Sequence, residues 1–369
     1  MRMSPIKNVF AAAGAQFAER LDTAVPLTIA DPATEYHRIR DAAGITDFSF
    51  MQKFRVPEAK AIDFLDSLLA GNVAKTRYGR VLHTFLADDG GNLLSDCYVA
   101  NNDEEYIILC ESIADDAAID AIFRRAGSEK AGVQDLTLEY ALIGVDGARA
   151  WEIMKGMFGA DILGLPYLSI ENYTFENEKI RLFRAGKTSE FGYLLMAPAS
   201  CAAELVSQCA ARAEKSGGGL CGLSIHNDLR LEGRFFNIHA EGKNVGDPLQ
   251  LGLQWMIDFD KGAFCGSEAV LKRRARGLTH KIIGVRAAPG IDTLKTGASV
   301  FHEGKAVAEI VADCFSYILN CRLGLAVFPC EIAYSGLTFA LGSPDGPAIQ
   351  TVSMPPIMPK SLTVRLDEM

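Results

Sequence analysis

The chain has 369 residues, with 37 basic and 46 acidic side chains and a formal net charge of −9. That length predicts two to three domains and a core large enough to need neither disulfides nor a structural metal. Hydrophobic residues at 49% and charged residues at 22% exclude general disorder, and the acidic balance excludes a broad surface for nucleic acid or anionic membrane.

In chain order, the apolar patch from Val9 to Ala15 is followed at once by Gln16, Glu19 and Arg20. It reads as one face of a short helix rather than a secretory signal. Phe54 to Leu65 reads as strand, turn and helix, with Ala61, Ile62, Leu65, Leu68 and Leu69 on one helical face. Ala141 to Trp151 repeats that shape 89 residues later, and its helix is expected to bury Ala150, Ile153, Met154 and Met157. A second pair echoes at 87 residues. Tyr106 to Leu109 precedes a helix from about Ala114 to Arg125, and Tyr193 to Met196 precedes one from about Ala199 to Lys215. Two matched pairs at nearly one offset predict a duplicated α+β unit with helices packed on one side of each sheet.

Ser216-Gly217-Gly218-Gly219 reads as a helix stop and loop; without a following Lys-Ser or Lys-Thr it is not a phosphate cradle. Lys272 to Arg276 ends a helix, where cations are favourable, and reads as a linker. From His280 onward, short apolar strands alternate with Gly, Pro and Asp turns, predicting a small β-barrel or sandwich. The expected division is a body over 1–277, with halves near 30–135 and 136–277, and a β domain over 278–369.

Nine scattered cysteines with no CxxC, several inside apolar runs, read as buried reduced thiols of a cytoplasmic protein. The six histidines are dispersed, with no His/Cys pair at ligand spacing, so no metal is expected. No apolar run is long enough to span a bilayer.

Three stretches combine polar groups with turns. Asp88-Asp89-Gly90-Gly91-Asn92 marks a hairpin, after which Asp96 lies inside an apolar strand. A carboxylate there either faces solvent or lines a pocket as an acid or base. Arg184 to Tyr193 places Glu190 in a glycine-flanked loop, where a hairpin tip with a solvated acid is the simpler reading. Cys221 to Glu232 puts His226 and Arg230 four apart on one helical face, which by itself suggests an exposed helix with a salt bridge.

Taken together and in order, these stretches resemble the family of the glycine-cleavage T-protein, a tetrahydrofolate-dependent aminomethyltransferase. Ala43 to Met51 resembles the family's "AGLFDVSHM", Gly91 to Asp96 its "GGIIDD", and Gly186 to Tyr193 its "GYTGEDGFE". Asn227 to Glu232 is similar to "DSLRLE", Pro248 to Trp255 to "PVEAGLGW", and Lys261 to Ala269 to "KGDFIGREA". The resemblance runs from about residue 30 to 365 and implies three domains around a central channel that holds folate. It further implies that Asp96 is the acid near the folate N5 and N10 atoms, that Glu190 hydrogen-bonds the pterin ring, and that His83, Phe183 and Arg230 also contact the cofactor.

The sequence departs from that pattern at the substrate end. Ser95 replaces the first acid of an Asp-Asp pair, and His83 stands where the family has a Tyr. Glu111 or Ser112 stands near a usual Asn, His226 replaces an Arg, and Gln250 replaces a Glu. Glu111, His226 and Met51 are therefore the candidates for the substrate side. The resemblance with these departures implies a sister enzyme that moves a methyl or methylene group from a small methylated donor to tetrahydrofolate. Relatives of that kind demethylate methoxy-aromatics, methylated amines and dimethylsulfoniopropionate. The alternatives are the T-protein itself, which would require a lipoyl carrier protein, a non-catalytic folate binder assisting iron–sulfur proteins, and an enzyme that has lost folate. The non-catalytic group carries "KGCYxGQE"; here Ala263 takes the cysteine's place and Cys265 lies two residues later.

Overall fold

The computed structural model describes residues 2–102 and 104–364, so residue 1 and residues 365–369 of the expected regions lie outside the described residues. Two antiparallel sheets form the body. The first runs in the order Val81–Ala87, Leu93–Asn102, Glu105–Ser112, Gln52–Pro57, Gln134–Asp135. The second runs Ser169–Phe175, Glu178–Arg184, Phe191–Pro198, Tyr140–Gly147, Gly44–Asp47, with the short strand Gly219–Leu220 added parallel at its edge.

Position for position, the five-strand orders match, which is the duplication that the 87- and 89-residue echoes predict. Each unit places a strand–helix pair beside another: Gln52–Pro57 pairs with Glu105–Ser112, and Tyr140–Gly147 pairs with Phe191–Pro198. One strand nevertheless crosses between the sequence halves. Gly44–Asp47 precedes the first unit but pairs with Tyr140–Gly147, while Gln134–Asp135 precedes the second unit but pairs with Gln52–Pro57. A cut near residue 135 therefore separates strands that hydrogen-bond to each other.

Helices cover the outer face of each sheet. Glu58–Leu68 turns Ala61, Phe64, Leu65 and Leu68 onto the first sheet, where Val99, Ile108 and Cys110 meet them. Each fully buried large apolar side chain there is worth about 1.5–3 kcal/mol. Ala150–Phe158 and Ala199–Glu214 do the same for Ile143, Val145, Tyr193 and Leu195 of the second sheet. The long helix stops at Ser216-Gly217-Gly218 as expected: Gly217 has φ +84°, and the Gly218 N–H returns to the Ala213 carbonyl. The inner faces of the two sheets share another apolar cluster containing Phe48, Met51, Tyr98, Phe183 and Leu194.

The other expectations resolve simply. The N-terminal patch forms the helix Lys7–Ala12 beside a three-stranded sheet. The basic run ends the helix Ser267–Arg276. The C-terminal strands close into a six-stranded barrel, from His280–Ala287 round to Ala348–Val352, which pairs back onto the first. The architecture is therefore α+β: a duplicated body and a β-barrel. All nine cysteines are free thiols; seven are buried, and Cys265 and Cys330 are half-buried. Among the described residues, no helix is long and apolar enough to cross a membrane.

Candidate active site

Strand alternation decides which side chains look inward. On Leu93–Asn102, Cys97 and Val99 face the helices, so Asp96 and Tyr98 face the other sheet. Asp96 pairs across the ladder with Glu111, and Tyr98 pairs with His83. Two carboxylates directly opposite one another repel, and this pair is buried to 2% and 1% exposure. Lys187 makes the arrangement possible. Its ammonium donates to Asp96 and, at 2.9 Å, to Glu111.

Asp96 also accepts from His83 Nε2 at 2.7 Å, and Glu111 accepts from Arg230 Nη1 at 2.8 Å. Burial pushes both carboxyls up. Lys187 and His83 outweigh it at Asp96, and Arg230, Lys187 and His239 outweigh it at Glu111, so both end below the usual carboxylate range. Both acids are therefore ionised near neutral pH. This is a built ion network, not the solvent-facing strand acid that was one of the two readings of Asp96.

The network opens onto a narrow cavity lined by Phe48, Met51, Tyr98, Glu111, Asp146, Gly186, Lys187, Leu194, His226 and Arg230, with room of about 20 Å³. His226 and Arg230 do share a helical face on Ile225–Gly233, but that face is buried, at 2% and 4% exposure. The exposed helix suggested by spacing alone is thus corrected: its polar residues turn inward because the cavity receives them. His226 Nε2 lies 2.8 Å from Thr46 Oγ1, and burial, with Arg230 beside it, lowers its pKa to about 3. His226 is neutral under ordinary conditions.

Glu190 stands elsewhere. Its carboxylate accepts from Arg40 Nη1 at 3.1 Å and from the backbone N–H groups of Lys360 at 3.2 Å and Ser361 at 2.8 Å. Arg40 also holds Glu232 at 2.9 Å, and Tyr36 donates to Glu232. The hairpin-tip reading of a solvated acid is corrected by this second buried network, which ties the chain's C-terminal segment to the body. Glu190 does not line the cavity, so the structure does not bring it to Asp96. Phe183 is fully buried in the apolar layer beside its cross-strand partner Leu194 and does not line the cavity either. Glu111, Arg230, His226 and Met51 line the cavity, and Asp96 and His83 join them through the Lys187 ion network.

Sequence reasoning passed over Lys187 and Asp146. A lysine beside a glycine in a loop that already held Glu190 was the available signal for Lys187. Asp146 sits in an apolar strand as Asp96 does, and the same argument from burial applied to it.

Trp255 is 62% exposed and meets the His83 ring at 5.3 Å, and His83 in turn meets the ring of Tyr98, a cavity residue, at 4.6 Å. Among the described residues no group of three or more His, Cys, Asp or Glu is placed to hold a metal ion.

Comparison with known proteins agrees with this architecture. Residues 6–261 match the model of the GCVT N-terminal domain. Similar curated proteins include the aminomethyltransferase of Mycobacterium avium (strain 104), 27% identical over 88% of this chain and 87% of that protein. Another is the aminomethyltransferase of Caldanaerobacter subterraneus, 24% identical over 91% of this chain and 90% of that one. The crystal structure of glycine cleavage system aminomethyltransferase T from Bartonella henselae superposes with a TM-score of 0.82 over 97% of this chain and 98% of that one, at 20% identity, so the fold is shared. With more than half its length matched by the domain model, this chain belongs to the glycine-cleavage T-protein family.

Proposed function

We propose that the protein is a tetrahydrofolate-dependent one-carbon transferase that takes a methyl group from a small methylated donor, or a methylene group from a donor already at the aminomethyl level. The observation that carries the reading is Asp96, buried and ionised between His83 and Lys187, whose side chain lines the cavity. Bound tetrahydrofolate supplies the amine that accepts the one-carbon unit. Asp96 would accept an N–H at the reacting centre and take up the proton released there, oriented by the His83 Nε2–H that it accepts. Burial excludes water, which strengthens every charge interaction in the network.

The donor set suits such a cofactor in chemistry. Arg230 Nε is buried without a hydrogen-bond partner among the described residues, and the exposed Trp255 ring, packed on His83, offers stacking surface. In size, about 20 Å³ admits roughly one water, so wall side chains must swing aside before a ring enters. Glu190 contacts a pterin only if Lys360 and Ser361 release it.

A second reading, aminomethyl transfer within glycine cleavage with a lipoyl carrier protein as partner, is supported by the names of the similar curated proteins. The non-catalytic iron–sulfur reading draws no support from Cys265, which lies beside Asp89 and Arg125, away from the cavity.

The test is binding followed by turnover. Tetrahydrofolate should quench Trp255 emission and raise the melting temperature. Methylated amines, sulfonium compounds, methoxy-aromatics and an aminomethyl-lipoyl carrier are then compared for formation of 5-methyl- or 5,10-methylenetetrahydrofolate. No thermal or fluorescence response at saturating tetrahydrofolate overturns the proposal.

A further inference from the structure

Asp146 is the cavity acid that the ion network leaves over. It is 2% exposed, and among the described residues its one hydrogen bond is a long one, 3.4 Å from Thr188 Oγ1. Glycines make the space for it. Its ladder partners are Gly192 on one side and Gly44 on the other, and a Cβ on Gly186 or Gly192 would come within 2.6 or 2.8 Å of its Oδ1.

Charge matching points the same way. Lys187 and Arg230 are the cations on the cavity wall; Lys187 is bonded to Asp96 and Glu111, and Arg230 to Glu111. Two cations answer two acids, and Asp146 is a third acid without a partner. The groups that face it from each neighbouring element are Arg230 and neutral His226 on the helix Ile225–Gly233, Arg184 and Lys187 on or after the strand Glu178–Arg184, Cys221, Tyr167 and, across the cavity, Glu111. None of these cations bonds it.

We propose that Asp146 is the counter-charge for a cationic donor, an onium group of the ammonium or sulfonium type, and so sets the substrate class of this site. The word donor rests on the transferase reading above; the cation site itself does not. Burial, only partly offset by Arg230, raises the Asp146 pKa to about 7, so an entering cation takes the place of a proton. On the same cavity wall, the Phe48 ring and the Met51 thioether offer a polarisable, apolar surface suited to an onium group. A neutral methoxy group brings no charge to displace that proton.

The test uses the full chain and two probes of similar size, tetramethylammonium chloride and uncharged tert-butanol, in calorimetric titrations at constant ionic strength. The wild type should bind tetramethylammonium roughly tenfold tighter than tert-butanol, with affinity rising from about pH 6 to about pH 8. Titration in two buffers of different ionisation enthalpy should show proton release near neutral pH. Asp146→Asn should lose the preference, the pH dependence and the proton release together. Equal affinity for the two probes, no binding of tetramethylammonium, or proton release that survives in Asp146→Asn overturns the proposal. Should that variant not fold, proton release by the wild type decides alone. A tetrahydrofolate response without any preference for the cation removes only the Asp146 site; a preference without that response keeps the site and removes the cofactor reading.

Discussion

Asp96 and Glu111 stand directly opposite one another on adjacent strands, and the Lys187 ammonium is hydrogen-bonded to both. The cation comes from a loop of the other sheet, so the bridge also clamps the two halves of the body together. A like-charged cross-strand pair costs stability by itself. Here it survives because each acid has a second partner, His83 for Asp96 and Arg230 for Glu111.

Replacing that cation should be severe. Lys187→Met leaves two buried carboxylates without their shared partner, and breaking a buried ion pair in this way costs about 3–5 kcal/mol. Urea unfolding measures it. A loss below about 1 kcal/mol would place this bridge among weak surface pairs and refute its role as a clamp.

Asp96→Asn removes the acid but keeps its shape, and Lys187 retains Glu111. Folding should be largely preserved, while one-carbon transfer drops by roughly 10²–10⁴-fold, the usual contribution of a positioned acid or base. Turnover of any accepted donor, beside a melting curve, separates the two effects. Undiminished turnover would rule out the role given to Asp96.

His226 makes stability depend on pH in a defined direction. Its folded pKa of about 3 lies below its ordinary value of about 6.5, so between those values the unfolded chain binds the extra proton. Stability from this group is therefore complete above about pH 6.5 and is lost progressively on acidification toward about pH 3. Against a His226→Gln variant, the wild type should lose its relative stability across that window. Parallel stability–pH curves for the two proteins would contradict the buried, neutral imidazole.

Glu190→Gln tests the strap at the C-terminal segment. The carboxylate holds Arg40 and two backbone N–H groups, and an amide cannot accept all three at the same strength. Weakening hydrogen bonds to a buried charge costs about 1.5–3 kcal/mol. The local consequence should be faster tryptic cleavage after Lys360, read by mass spectrometry under native conditions. Unchanged cleavage would mean that Glu190 does not anchor this segment.

The sequence alone determined the repeat, the barrel and the neighbourhood of the site. Strand–helix echoes at 87 and 89 residues depend on local periodicity, which a linear reading detects, and Asp96 stood out because an acid inside an apolar strand demands an explanation. What a linear reading lacks is the partner of each charge. Gly44–Asp47, from the first half of the chain, pairs into the second sheet, which no local pattern encodes. Lys187 meets Asp96 from 91 residues away, and Arg40 takes Glu190 from 150. Whether a carboxylate is solvated, paired or left waiting for a cation depends on distances of a few ångströms between such remote side chains. Only the tertiary packing sets those distances, and they separate the paired acids Asp96 and Glu190 from the unpaired Asp146.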